Sequence, residues 1–185
     1  VWVLVIVALV VGWFLKGAFQ YQTEVFTDPG TGLTFRYPAD WFLESNQAQI
    51  GDEGVLLTVS DAHADSAFST AFSVRVKTVK EETTAAEQAE LWSLRRGEGL
   101  TKYRVLSKEP RRVAGQEAVA IDYGYVEDPL RSSALSVSLP VVVRALDVVF
   151  IRDNKVYILT FAADQLVFDE EKKTLEGLLN SVSFK

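Results

Sequence analysis

The single histidine of this 185-residue chain lies in Asp61-Ala62-His63-Ala64-Asp65. In extended backbone, side chains at i, i+2 and i+4 share a face, so Asp61, His63 and Asp65 would converge there. Two carboxylates and an imidazole form a ligand set that suits Zn²⁺ or Mn²⁺. Against this stands a plainer reading, a polar loop between two strands, and so short a motif favours it. A Ser-His-Asp triad would have to use His63, yet no G-x-S-x-G elbow accompanies it. Neither a P-loop nor a G-x-G-x-x-G turn after a strand is present. Asp169-Glu170-Glu171 stand where a helix begins, and the helix macrodipole accounts for acids there. These residues compose no catalytic constellation. The expectation is a non-enzymatic protein with no cofactor.

The basic residues are distributed less evenly. The chain carries a net charge of −6, which argues against general nucleic-acid binding. Residues 95–112 nevertheless hold Arg95, Arg96, Lys102, Arg104, Lys108, Arg111 and Arg112 against Glu98 and Glu109. That is a local +5, leaving −11 for the remainder. Such a surface could dock an acidic partner face or anionic headgroups. The competing reading is a solvated helix end with edge strands, where Lys and Arg discourage edge-to-edge pairing. With no cysteine, disulfides, thiolate metal sites and a cysteine nucleophile are excluded within these residues.

The elements that must position these groups are set by periodicity. At 48% hydrophobic content, the chain can build one domain with a real core. Val141–Phe161 reads as a long hairpin turning at Asp153-Asn154, residue types that tolerate φ > 0. Both alternating sets are largely apolar near its middle, so the hairpin belongs at the centre of a sheet, covered on both faces. Phe150, Tyr157, Leu159 and Phe161 are expected to be buried. Leu33–Tyr37, Gly54–Ser60, Ala71–Val79 and Glu117–Tyr125 alternate as further strands, and Tyr103–Ser107 and Arg111–Val113 as short extended pieces. In Ala71–Val79 the alternation turns Phe72, Val74 and Val76 inward and Ser73, Arg75 and Lys77 to water. Thr84-Ala85-Ala86-Glu87 is a capping box for a helix running to about Arg96 and ended by Gly97 or Gly99, with Ala85, Ala89 and Trp92 on one face. Asp169 is expected to cap a last helix whose buried stripe is Leu175, Leu178, Leu179 and Val182. Glu127–Pro140 reads as a polar loop.

Val1–Leu15 is uncharged and almost wholly apolar. As a helix it would span roughly 22 Å, short of a ~30 Å hydrocarbon core, so it reads as a transmembrane helix whose first turns lie upstream, against a signal-peptide h-region or a buried helix of the domain. Trp2 and Trp13 suit the two interfacial belts, and the next residues make a poor cleavage site. The expected organisation is a transmembrane anchor over 1–19, a connector over 20–30 and a domain over 31–185. Ala8 and Gly12 stand at the small-xxx-small spacing that lets helices pack closely in membranes.

Four stretches, in order, resemble the PsbP family, which includes LpqN- and DcrB-like proteins. Gly32-Leu33-Thr34-Phe35-Arg36-Tyr37-Pro38-Ala39-Asp40-Trp41 is like the family's GFxxxYPxxW opening. Val113-Ala114-Gly115-Gln116-Glu117-Ala118 is like its GxxA turn before a strand. Lys155-Val156-Tyr157-Ile158-Leu159-Thr160 is like its kvYxLt strand. Leu178-Leu179-Asn180-Ser181-Val182-Ser183-Phe184 is like its terminal iLxSfxf. The resemblance covers 31–185 and implies an α+β fold, an α/β/α sandwich around a central antiparallel sheet. It also implies a non-catalytic accessory subunit on the extracytoplasmic, periplasmic or lumenal side of a membrane. The partners would be integral membrane subunits of a larger complex, of photosynthetic or other electron transport, together with membrane lipid and no nucleic acid. The alternative is a membrane-tethered binding module for a lipid, glycan or other small ligand.

Overall fold

The structure is a computed structural model and describes residues 22–45, 55–61, 68–127 and 139–185. A seven-stranded antiparallel sheet forms its frame. The strands are β3 (Trp41–Ser45), β4 (Val55–Asp61), β5 (Ala71–Thr78), β6 (Thr101–Val113), β7 (Gln116–Glu127), β8 (Val141–Arg152) and β9 (Lys155–Asp164), in the order β3-β4-β5-β9-β8-β7-β6. The hairpin of β8 and β9 lies at the middle, as its two-sided apolar pattern demands. Its turn residues Asp153 and Asn154 sit at φ 50° and 55°, the left-handed pair of a type I′ turn. Ala114 and Gly115 turn β6 into β7 in the same way, at φ 50° and 76°.

Each face of the sheet buries its own core. One face carries Phe72, Val74, Val148, Phe150, Tyr157, Leu159 and Phe161. It is closed by helix α2 (Lys172–Ser181) through Leu175, Leu178 and Leu179, and by a second sheet of β1 (Thr23–Thr27), β2 (Leu33–Pro38) and β10 (Ser183–Phe184). The other face carries Ile121, Tyr123, Val143, Ala145, Val149, Val156 and Ile158 beneath helix α1 (Ala85–Gly99). The sheet is therefore covered on both sides, although a small sheet shares one side with its helix.

Three local expectations change. Thr23–Thr27 lies within the stretch read as polar connector, yet it is a strand, because β2 offers it a full antiparallel partner. The two extended pieces before Gly115 are one 13-residue strand, β6. Pro110 is tolerated there because β6 is an edge and needs no further N–H partner. Helix α1 carries the expected capping box and ends at Gly99, one of the two glycines expected to stop it. Asp169 does not cap α2. The helix begins at Lys172 behind Glu171 with no side-chain cap, and Asp169 instead accepts from Arg144 at 3.3 Å.

Candidate functional site

Helix α1 lies across β6, β7 and β8, and its inward side meets a polar cluster beside the apolar core. Asp147 on β8 is wholly buried. Its carboxylate accepts from the Trp92 indole at 2.6 Å and from Arg96 Nε at 3.2 Å. Arg96 also donates to Thr160 Oγ1 at 3.0 Å, and its guanidinium lies 4.7 Å over the Trp92 ring. Trp92 and Arg96 are one helical turn apart, so both reach the same acid. Burial opposes the charge on Arg96, but the Asp147 carboxylate, together with Tyr123 and Tyr125, outweighs it and its pKa ends raised. Burial also pushes Tyr123 up, and the Asp147 charge adds to this. Ser93 and Tyr103 share a 3.0 Å hydrogen bond beside the cluster. Among the described residues every buried side-chain N or O has a partner.

The seven cations of residues 95–112 do not form one face. Arg96 points inward to Asp147. Lys108 pairs with Glu90 of α1 at 2.7 Å, and Arg111 pairs with Glu176 of α2 at 2.5 Å. These two partners lie on opposite sides of the sheet. A bulge between Val105 and Ser107 shifts the alternation, so Arg104 falls on the α2 side and Lys108 and Arg112 on the α1 side. Lys102, Arg104, Lys108 and Arg112 are exposed. The result is an edge strand with cations on both flanks. Its thirteen residues hold five cations against Glu109.

Arg95 lies on the other flank of α1, among cations that come from outside residues 95–112. A groove of about 250 Å³ runs there between α1 and strands β5 and β9. Gln88, Leu91, Trp92 and Arg95 form its helical wall, and Val156 and Ile158 its floor. Arg75, Lys77 and Lys80 add three more cations to the lining, which includes no carboxylate. Arg75 lies 5.4 Å over Trp92 and donates to Ser73 at 3.4 Å. Alternation with buried Phe72, Val74 and Val76 turns Arg75 and Lys77 to water, whereas the fold brings them under α1. Periodicity also passes over Asp147, although a lone acid inside an apolar two-sided strand is a legible signal of a buried partner.

Asp61 ends β4, and its backbone N–H donates to Thr70 at 2.8 Å. His63 and Asp65 lie outside the described residues, as do Ala8, Gly12 and the whole apolar stretch 1–15. Among the described residues no three His, Cys, Asp or Glu side chains group to hold a metal, and no helix is long and apolar enough to cross a membrane.

No family model and no curated protein matches the chain. Solved structures do resemble it. Cyanobacterial PsbP (CyanoP) from Synechocystis sp. PCC 6803 superposes with a TM-score of 0.62 at 14% identity, over 88% of this chain and 92% of that one. LpqN of Mycobacterium tuberculosis, described as involved in cell envelope biogenesis, gives 0.59 at 11% identity, over 89% and 91%. The Ran-binding protein Mog1p of Saccharomyces cerevisiae gives 0.55 at 10% identity, over 88% and 95%. At such identities the likeness speaks of architecture alone. The chain has a PsbP-like fold.

Proposed function

We propose that this protein is a non-catalytic accessory subunit, held at a membrane by its apolar N-terminal segment. Its folded domain stands on the extracytoplasmic side and docks an acidic surface of a larger membrane complex. The observation that carries this reading is edge strand β6. In a chain of net charge −6, it holds five cations, four of them exposed, and one acid along an outer edge that no other strand covers among the described residues. Cations on both flanks suit a partner that cradles the edge and meets Arg104 on one side and Arg112 on the other. Exposed Leu106 between them adds an apolar contact. The fold supports the reading by analogy only, since its neighbours include a cell-envelope protein and a binding protein.

The test is affinity capture from membranes extracted in mild detergent, at low and high salt. Arg104→Glu with Arg112→Glu is the informative variant, because Arg111 and Lys108 already bond within the protein. Capture of the partner should fall severalfold in the variant and should weaken with salt in the wild type. Unchanged capture by the variant at both salt concentrations would reject the docking edge.

A further inference from the structure

The groove between α1, β5 and β9 lies on the opposite flank of α1 from edge strand β6, and its chemistry is independent of the docking edge. We infer that this groove is a binding site for a small anionic amphiphile, a single short apolar chain with a phosphate or carboxylate head. Its floor is apolar, made by Val156 and Ile158, with Leu91 on the rim. Its cations, Arg75, Lys77, Lys80 and Arg95, come from β5, the β5–α1 loop and α1. Lys77 and Arg95 also make contacts within the protein, but their charge still contributes to the field in the groove.

Arg75 is the central group. Burial lowers its pKa, and the charge of Arg96 lowers it further, with Asp147 offsetting only part. Asp147 is committed to Arg96 and the Trp92 indole. Arg75 and Arg96 both lie over the Trp92 ring, at 5.4 and 4.7 Å, so the half-buried Arg75 guanidinium sits in the field of another and is stabilised by an incoming anion in the groove that it lines. The head group would meet Arg75 and Lys80 while the chain covers Ile158 and Leu91. The volume of about 250 Å³ is at the small end for a ligand site and suits a short chain rather than a full diacyl lipid.

The experiment titrates the full chain with octyl phosphate, octanoate, octanol, inorganic phosphate and phosphatidylglycerol vesicles. The readout is the Trp92 indole N–H resonance, marked by its hydrogen bond to Asp147. Octyl phosphate and octanoate should shift it saturably, with octanol and inorganic phosphate each binding about tenfold more weakly. Lys80→Glu, at an exposed loop position, should weaken octyl phosphate about tenfold without changing the melting temperature. Arg75→Met should abolish saturation. A vesicle response on top of the octyl phosphate response identifies a lipid head group as a source of the same chemistry. Vesicle binding without octyl phosphate binding would overturn the site. So would inorganic phosphate matching octyl phosphate, or full affinity in Lys80→Glu.

Discussion

Asp147→Ala removes the acceptor on which α1 is seated. Two donor groups lose their partner, the Trp92 indole at 2.6 Å and the Arg96 guanidinium at 3.2 Å. The acid side chain is 1% exposed and the arginine side chain 16%. Breaking a buried pair from one side typically costs about 3–5 kcal/mol, because the remaining charge stays desolvated. Arg96 keeps its bond to Thr160 and some access to water, which favours the lower end, about 3 kcal/mol. For a domain of this size that is a fall of about 6–12 °C in melting temperature. Asp147→Asn keeps an acceptor for the indole and loses only the charge, so it should cost about half as much. Arg96→Met with Asp147→Leu removes both charges together and should be milder than Asp147→Ala alone. Urea melts followed by circular dichroism, with far-ultraviolet and near-ultraviolet signals compared, measure all three. A cost below about 0.5 kcal/mol for Asp147→Ala would refute the seating of α1 on this acid, as would a double variant worse than either single change.

Leu159 pairs with Val74 and Val148 across the centre of the sheet and is 1% exposed, so Leu159→Ala should cost about 2–5 kcal/mol in a denaturant melt. Burial raises Tyr37 to about 12, with its bond to Glu24 adding to this, and burial also raises Tyr125 to about 12. Exposed tyrosine ionises near 10, so the stability that depends on these neutral phenols is complete below pH ~10 and is lost as pH rises through about 12. Tyrosinate absorbance should therefore rise late and together with unfolding. Gly32 sits at φ +70°, and an added Cβ would stand 2.5 Å from the Lys185 carbonyl oxygen. Gly32→Ala should cost at least about 1–2 kcal/mol and loosen β10, visible as faster amide exchange at Lys185.

The parts of this fold legible in the sequence are those where periodicity and turn chemistry coincide. The β8–β9 hairpin combines two-sided apolar alternation with an Asp-Asn turn, and the capping box at Thr84 marks α1. Thr23–Thr27 carries no apolar alternation, and it is a strand only because β2 pairs with it. The start of α2 is hidden because an acid ahead of an apolar stripe reads as a cap, whereas Asp169 is drawn to Arg144 by tertiary geometry. The basic stretch illustrates the same limit at the candidate site. Counting charge along residues 95–112 does not distinguish Arg96, which turns inward to Asp147, from Arg95, which lines the groove. Nor does it register the bulge at Leu106 that moves Arg104 and Arg112 to opposite sides. Arg75 and Lys77, distant from Asp147 in sequence and in no shared motif with it, reach this face only through strand order.

The proposed function has the chain join a larger membrane assembly through the outer edge of β6. The most direct measurement is the native mass of the chain after mild detergent extraction, with a cross-linker placed at Lys102 or Lys108. Membership predicts a large species, with cross-links from these lysines to acidic segments of another integral membrane protein. A chain that migrates alone, with cross-links only within itself, would contradict it.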